Sequence, residues 1–323
     1  MEYFISHRSA FEYWRTSSAE DALAGKRTRT KKPPTKPQDT NAQELLDRHG
    51  KELGSLTSPL HILVGDKNAR KVCEGLRCHI SSGTFPRGSF IRGGDGLLVS
   101  SPELCFMQMA SELSFIDLVS FGYELCGGYR LDKASGSEDG FRKDIPLTDA
   151  STLSSFVDRA TGLKGRTNAR KALRFITDSS ASPMETALTL LLVLPYRLGG
   201  YGFPLPRLNC PIDVGVNAKK TVSRSSKLRF YADLYWPDEQ VDVEYDSDAW
   251  HLEPEQKARD SERGNALLSA GVAVLTVSRK QIVIPSRMRM VAEELSKLLG
   301  KRLQYPLPEF TMRNFALLQQ LLP

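Results

Sequence analysis

The stretch Arg229–Gln281, RFYADLYWPDEQVDVEYDSDAWHLEPEQKARDSERGNALLSAGVAVLTVSRKQ, decides how the chain is read. Two short β-like segments open it, and Pro237-Asp238-Glu239 between them is a turn sequence. Asp233 lies in the first segment, and Glu244 and Asp246 lie in the second. A polar loop carrying Trp250 and His251 follows. A charged helix with Asp260 and Arg263 comes next, then an apolar strand from Val272 to Val277.

Positions two apart on a strand share a face, so Glu244 and Asp246 point one way and Val243 and Tyr245 the other. A hairpin through the Pro237 turn brings Asp233 beside that pair. Hard cations such as Mg²⁺ prefer carboxylate oxygens and water. Such an ion generates a hydroxide nucleophile and stabilises charge building on a phosphate. The alternative is a pair of strands with solvated acidic faces. Val241, Val243 and the Ala273–Val277 run argue for a buried sheet, where an unpartnered carboxylate is costly.

On these residues the region resembles the PD-(D/E)xK nuclease superfamily, and within it the very-short-patch-repair-like branch. Its pattern is an Asp, a Glu-x-Asp-Gly, a nearby His, an Asp-x-x-Arg on a helix, and a Leu…Gly…Val-Leu strand. Here that pattern falls on Asp233, Glu244, Asp246, His251, Asp260, Arg263, Leu268, Gly271, Val274 and Leu275. The resemblance covers about Ser182 to Leu299. It implies a mixed central sheet and an Mg²⁺ or Mn²⁺ site on Asp233, Glu244 and Asp246. It also implies catalytic roles for His251 and for Glu185, on the helix before the sheet. Two features depart from the pattern: Ser247 stands where the Gly is expected, and the loop before His251 is one residue longer. Asp246 occupies the place of the parent superfamily's lysine, where this branch often has an acid.

Ser182-Pro183-Met184-Glu185 also has the form of a capping box with Pro at the first helical position. Glu185 therefore has a structural role open to it as well as a ligand role. Arg166, Arg170 and Arg174 recur every four residues and share a helix face, which is either solvated or follows a phosphate backbone. Arg263, Arg279 and Lys280 are further candidates for nucleic-acid contacts.

The net charge of +6 favours an anionic partner. DNA is the expected one, with RNA open as an alternative. Cys73, Cys78, Cys105, Cys126 and Cys210 have no paired CxxC spacing, which predicts free thiols in a reducing cytoplasm and no zinc ribbon. Cys73, Cys78 and His79 read as scattered small residues. The longest apolar run, near Leu188–Leu194, is far below the ~20 residues of a membrane span.

The expected fold class is α/β: a restriction-endonuclease-like mixed sheet flanked by helices, preceded by a smaller α/β module and a basic linker. The expected divisions are an N-terminal helix or arm at 1–18, a basic Pro-rich linker at 19–57, and an α/β regulatory or specificity module at 58–180. The endonuclease-like domain follows at 181–300, with a C-terminal extension at 301–323. The linker contains KRTRTKKPPTKPQDT at Lys26–Thr40, with little to bury. In the module, a Val-x-Ser-Pro-Glu segment at Val99–Glu103 before a helix resembles the central region of abortive-infection (AbiEi-type) antitoxins. Helices are expected from Ser101 to about Leu113, from Phe115 to Gly127, and as a hairpin broken at Gly162–Gly165. The first functional expectation is an Mg²⁺-dependent DNA endonuclease. The second is an inactive nuclease-fold regulator that binds nucleic acid. An effector acting on RNA is the third.

Overall fold

The computed structural model describes residues 2–17, 25–28, 32–34, 41–70, 72–81, 83–131, 140–215, 227–246, 264–303 and 309–322. The chain is mixed α/β and divides into two compact units, Met1–Ile176 and Thr177–Pro323. Among the described residues no helix is long and apolar enough to cross a membrane.

The N-terminal unit is built on a five-stranded sheet. Its strands are β1 (Tyr3–Ile5), β2 (Leu60–Val64), β3 (Leu76–Ile80), β4 (Phe90–Gly94) and β5 (Leu97–Ser100), in the order β3-β2-β1-β5-β4. The first strand of the chain is therefore the middle of the sheet, and Tyr3, Phe4 and Ile5 are all buried. Helix α1 (His7–Thr16) follows it and docks through Trp14, which is 1% exposed and donates from Nε1 to the Ser100 carbonyl at 2.9 Å. Residues 2–17 thus take the docked-helix form of the expectation, supplying the central strand and a buried indole.

The expected linker at 19–57 is folded in part. Helix α2 spans Ala42–Leu53, with Asn41 accepting from the Glu44 N–H and Leu45 and Leu53 buried. Upstream, the Arg27 guanidinium grips buried Glu103 in a two-pronged pair at 2.9 and 3.0 Å, and Thr28 N–H bonds to the Phe90 carbonyl. Burial alone would raise the Glu103 carboxyl; the Arg27 partner more than offsets it and holds the group below its ordinary value. A sequence short of apolar residues is anchored here by one buried ion pair and two leucines.

Helix α3 (Pro102–Met109) starts at Ser101, whose Oγ accepts from Leu104 N–H, and it ends before the expected Leu113. Ser111 Oγ bonds back to the Gln108 carbonyl, and Ser114 caps α4 (Phe115–Cys126). A small hairpin, β6 (Tyr129–Leu131) with β7 (Phe141–Lys143), leads to α5 (Ala150–Arg159) and α6 (Arg166–Leu173). The break between α5 and α6 needs Gly165: its φ is +91°, and a Cβ would come within 2.1 Å of the Met107 carbonyl oxygen.

The C-terminal unit opens with α7 (Pro183–Val193), buried from Glu185 onward. Three antiparallel strands follow: β8 (Arg207–Gly215), β9 (Lys227–Trp236) and β10 (Val241–Asp246). The turn at 237–240 joins the last two, with Gln240 at φ +55°. After a helical segment at 264–269, β11 (Ala273–Ser278) pairs parallel to β10. The sheet order is β11-β10-β9-β8. Helices α8 (Arg279–Val283), α9 (Pro285–Leu298) and α10 (Glu309–Leu321) complete the unit. The expected extension at 301–323 is thus part of the body: Phe310 packs on Tyr196 and Tyr201, and Asn314 donates to the Gly199 carbonyl at 2.7 Å. The N-terminal unit, expected to be the smaller module, is the larger of the two.

Trp14→Ala should destabilise the protein by about 3–5 kcal/mol, because it empties a closed site and strands the Ser100 carbonyl. Chemical denaturation of the full chain checks this, and a loss below about 1 kcal/mol would show that α1 is not integral to the unit.

Candidate functional site

The face of the C-terminal sheet that carries the acids is set by strand register. Val243 pairs with Leu234, and Asp242 with Tyr235. The pairing ends at Val243, and alternation along each strand places Asp233 on the Tyr235 face and Glu244 and Asp246 on the Asp242 face. Asp233, Tyr235, Asp242, Glu244 and Asp246 therefore share one face, and Val241 and Val243 face the other way into the core. On the parallel side, Glu244 is level with Thr276 and Asp246 with Ser278.

The backbone ladder between β9 and β10 gives way at this point. Tyr245 N–H donates to Asp233 Oδ2 at 2.8 Å, so one carboxylate oxygen takes over the work of a strand carbonyl. Asp233, Glu244 and Asp246 are each partly exposed. The face is open near Asp246, where Tyr231 is 57% exposed and Thr276 is exposed. It closes toward Tyr235 and Asp242, both buried. Burial pushes the Tyr235 phenol above its ordinary value, and Cys210 and Asp242 add to that. Asp242 did not enter the sequence reading, although the same two-residue alternation selects it.

Glu185 reaches this region from α7. Its N–H donates to Ser182 Oγ at 3.1 Å, which is the N-cap half of the expected box, but its Oε1 accepts from Ser182 Oγ at 3.0 Å and its Oε2 from Ala181 N–H at 2.9 Å, one residue before the cap, instead of from the cap's own N–H. The same Oε2 accepts from Asn209 Nδ2 at 2.8 Å, and that amide also donates to the Ser179 carbonyl. Asn209 lies on β8 between the Leu208–Leu234 and Cys210–Ala232 pairs, hence beside Asp233 on the acidic face. Its φ is +45°, a conformation Asn tolerates better than most residues. Asn209 thus links the helix carboxylate to the acidic face, a connection with no local sequence signal.

Arg279 and Lys280 are exposed at the start of α8, directly after Ser278. Because β10 and β11 are parallel, they lie at the same sheet end as Asp246. In open α/β sheets ligands bind beyond the carboxyl ends of the strands. In the N-terminal unit, Arg166 donates to the Val157 and Asp158 carbonyls at 2.8 and 3.0 Å, and Arg170 pairs with the Asp158 carboxylate at 2.7 Å. Arg166 thereby caps the carbonyl end of α5, where a cation is favoured, and Arg170 is tied up in a surface ion pair. Arg174 closes α6 as its C-cap. His251, Asp260, Arg263 and Ser247 lie outside the described residues.

The three acids share a face but are spread along it. Among the described residues, His7, His79 and Glu112 of the N-terminal unit form the group whose ligand atoms all lie within 4.8 Å of one another.

Two relatives from Mycobacterium tuberculosis, the uncharacterized proteins MT2308 of strain CDC 1551 / Oshkosh and Rv2248 of strain H37Rv, are each 27% identical to this chain over 127 residues. The match covers 39% of this chain and 41% of either relative, so the chain spans about two fifths of their length. No protein-family profile and no solved structure matches the chain.

Proposed function

We propose that the C-terminal unit is a restriction-endonuclease-like domain that hydrolyses DNA phosphodiester bonds with Mg²⁺, or Mn²⁺ in its place. The observation that carries this reading is the strand register, which puts Asp233, Glu244 and Asp246 on one face at the end of the sheet that also bears Arg279 and Lys280. The order of helix, three antiparallel strands, crossover and parallel fourth strand supports the fold part of the proposal.

The donors are of the type such an ion takes, and, spread as they are along the face, they would have to draw together around it. Cross-strand like charges cost stability, and oxygen-rich acidic faces are what a hard cation takes. Asp233 and Glu244 would hold it from adjacent strands, with Asp246 as the third ligand at the open end. When bound, the ion would polarise a phosphoryl oxygen and acidify a water. Tyr245 N–H fixes the Asp233 carboxylate in orientation. Asn209 Nδ2 and Ala181 N–H fix Glu185 as a support behind the face. Arg279 and Lys280 would hold the nucleic-acid backbone. By the resemblance, His251 would position water, and Arg263 would orient phosphate or the acids.

A second reading, an inactive nuclease-fold regulator that binds nucleic acid, is favoured by one observation. Two of the candidate carboxylates, Glu185 and Asp233, already accept structural hydrogen bonds from backbone N–H groups.

With Mg²⁺ or Mn²⁺ the full-length protein should nick plasmid DNA, and Asp233→Ala and Glu244→Ala should each lose at least ~100-fold while remaining folded. Single-stranded DNA and RNA run alongside identify the preferred polymer. Equal cleavage by folded variants would remove the site, and no cleavage by any protein would leave the binding reading.

Replacing Arg279 and Lys280 by Ala should weaken DNA binding and flatten its salt dependence by up to roughly 1.8 in log–log slope, since each phosphate contact contributes about 0.9. Binding titrations at graded salt measure this, and an unchanged slope would exclude that sheet end as the phosphate surface.

A further inference from the structure

We propose that His7, His79 and Glu112 form a binding site for a first-row divalent transition metal, zinc foremost, with an open coordination position that takes an anionic oxygen ligand. The site lies wholly in the N-terminal unit and does not depend on the nuclease reading.

Three separate elements deliver the side chains. His7 begins α1, His79 lies on β3, and Glu112 lies in the turn after α3. Their ligand atoms lie within 4.8 Å of one another. A tetrahedral zinc ion at about 2.0–2.1 Å from N and O ligands spaces them roughly 3.4 Å apart, so side-chain rotation of about an ångström closes the set.

The histidines are held as metal-binding histidines are held. A ligating imidazole normally uses its second nitrogen to bond a neighbour, which fixes its tautomer and orientation. His7 Nδ1 bonds Ser6 Oγ at 3.0 Å, which leaves Nε2. His79 Nε2 bonds His61 Nδ1 at 3.0 Å, which leaves Nδ1. The His7 and His79 rings stack face to face, 3.5 Å apart and 11° from parallel, so one ring must turn out of the stack for a single ion to lie in the plane of both. Two imidazolium rings would repel in that arrangement, so the neutral, ligand-competent form is favoured.

The backbone at His7 points the same way. Its φ is +48°, in the left-handed region that is strained for a non-glycine residue. The surroundings hold it there: His7 N–H donates to Gln108 Oε1 at 3.0 Å, and Cys105 Sγ contacts its carbonyl oxygen at 3.9 Å. This conformation aims the ring into the stack beside His79.

The chemistry of the pocket sets the metal and the further ligand. Two imidazoles and one carboxylate suit zinc and its first-row neighbours, and they are a poor set for Mg²⁺. A zinc site with three protein ligands leaves a fourth position open. His7, His79 and Glu112 line a pocket of about 440 Å³ that is also lined by Arg70, Arg77 and Lys164. Neutral His₂ with one carboxylate leaves a bound divalent ion with net positive charge, and the three cations add to it. A ligand bound there is therefore anionic, a phosphate or carboxylate oxygen.

The test uses the full-length protein, free of any polyhistidine tag. Elemental analysis after exhaustive dialysis against zinc-containing buffer should give about one zinc per chain, retained in Glu244→Ala and competed poorly by Mg²⁺. Glu112→Ala removes an exposed side chain, so it should fold normally by circular dichroism yet bind zinc at least tenfold more weakly. His79→Ala should do the same. Co²⁺ substituted at the site should give a visible spectrum that changes when inorganic phosphate is added. Zinc binding equal in wild type and Glu112→Ala, or no binding in either, would overturn the site. A Co²⁺ spectrum indifferent to phosphate would overturn the open anionic position.

Discussion

Strand Val241–Asp246 is hydrogen-bonded on both sides, antiparallel to Lys227–Trp236 and parallel to Ala273–Ser278, and this double pairing fixes which side chains of the C-terminal unit can meet. A slip of one residue would turn Val241 and Val243 outward and bury the acids instead. Two features pin the register. Gln240 takes a positive φ in the turn, and Ala273 N–H reaches the Gln240 carbonyl at 2.9 Å, so the hairpin and the returning strand are locked at one point. The consequence is electrostatic. Asp233, Glu244 and Asp246 gather like charge on one face, and Asp242 is buried on that same face. Hydrophobic packing on the opposite face holds these charges together at a cost in stability that a cation would relieve.

The N-terminal unit treats buried charge differently. Glu124 accepts from Arg15 at 2.7 Å and from Leu131 N–H at 3.0 Å. Glu103 accepts from Arg27 and from Thr148 Oγ1. Arg130, almost fully buried, donates to the Glu124, Gly127, Tyr129 and Ile145 carbonyls and so closes the end of Phe115–Cys126. Breaking one member of such a set is costly because the other stays buried. Against that pattern the histidine cluster stands apart. Its rings are stacked on one another beside cations, an arrangement that gains little as packing and costs a strained backbone at His7.

What was legible in the sequence was local. The Ser182 cap on Glu185 N–H, the Pro-initiated helix after Ser101, the turn at Pro237 and the alternation of Glu244 and Asp246 each involve residues a few positions apart, and each has its expected form here. The features that escaped depend on distant pairing. Asn209 reaches Glu185 only because Arg207–Gly215 pairs with Lys227–Trp236. His7, His61 and His79 meet only because Tyr3–Ile5 enters the sheet between its neighbours. Read locally, His79 sits with Cys73 and Cys78 and suggests nothing. Arg27 and the helix at Ala42–Leu53 look like solvated linker because one ion pair and two leucines leave almost no periodicity to find.

The two candidate sites differ in ligand hardness, and that difference separates their chemistry. Carboxylates on a sheet face offer hard oxygens, which a weakly competing ion such as Mg²⁺ occupies by abundance rather than by affinity. Two half-buried imidazoles and a carboxylate offer borderline nitrogen donors, which rank zinc far above magnesium. The acidic face would fill and empty with the surrounding Mg²⁺, and the histidine site would keep its ion at much lower free concentration. An anion drawn to the histidine pocket meets fixed positive charge from Arg70, Arg77 and Lys164 as well as the metal. The same fixed charge opposes the arrival of the metal itself, so Glu112 is the side chain on which that site's affinity turns.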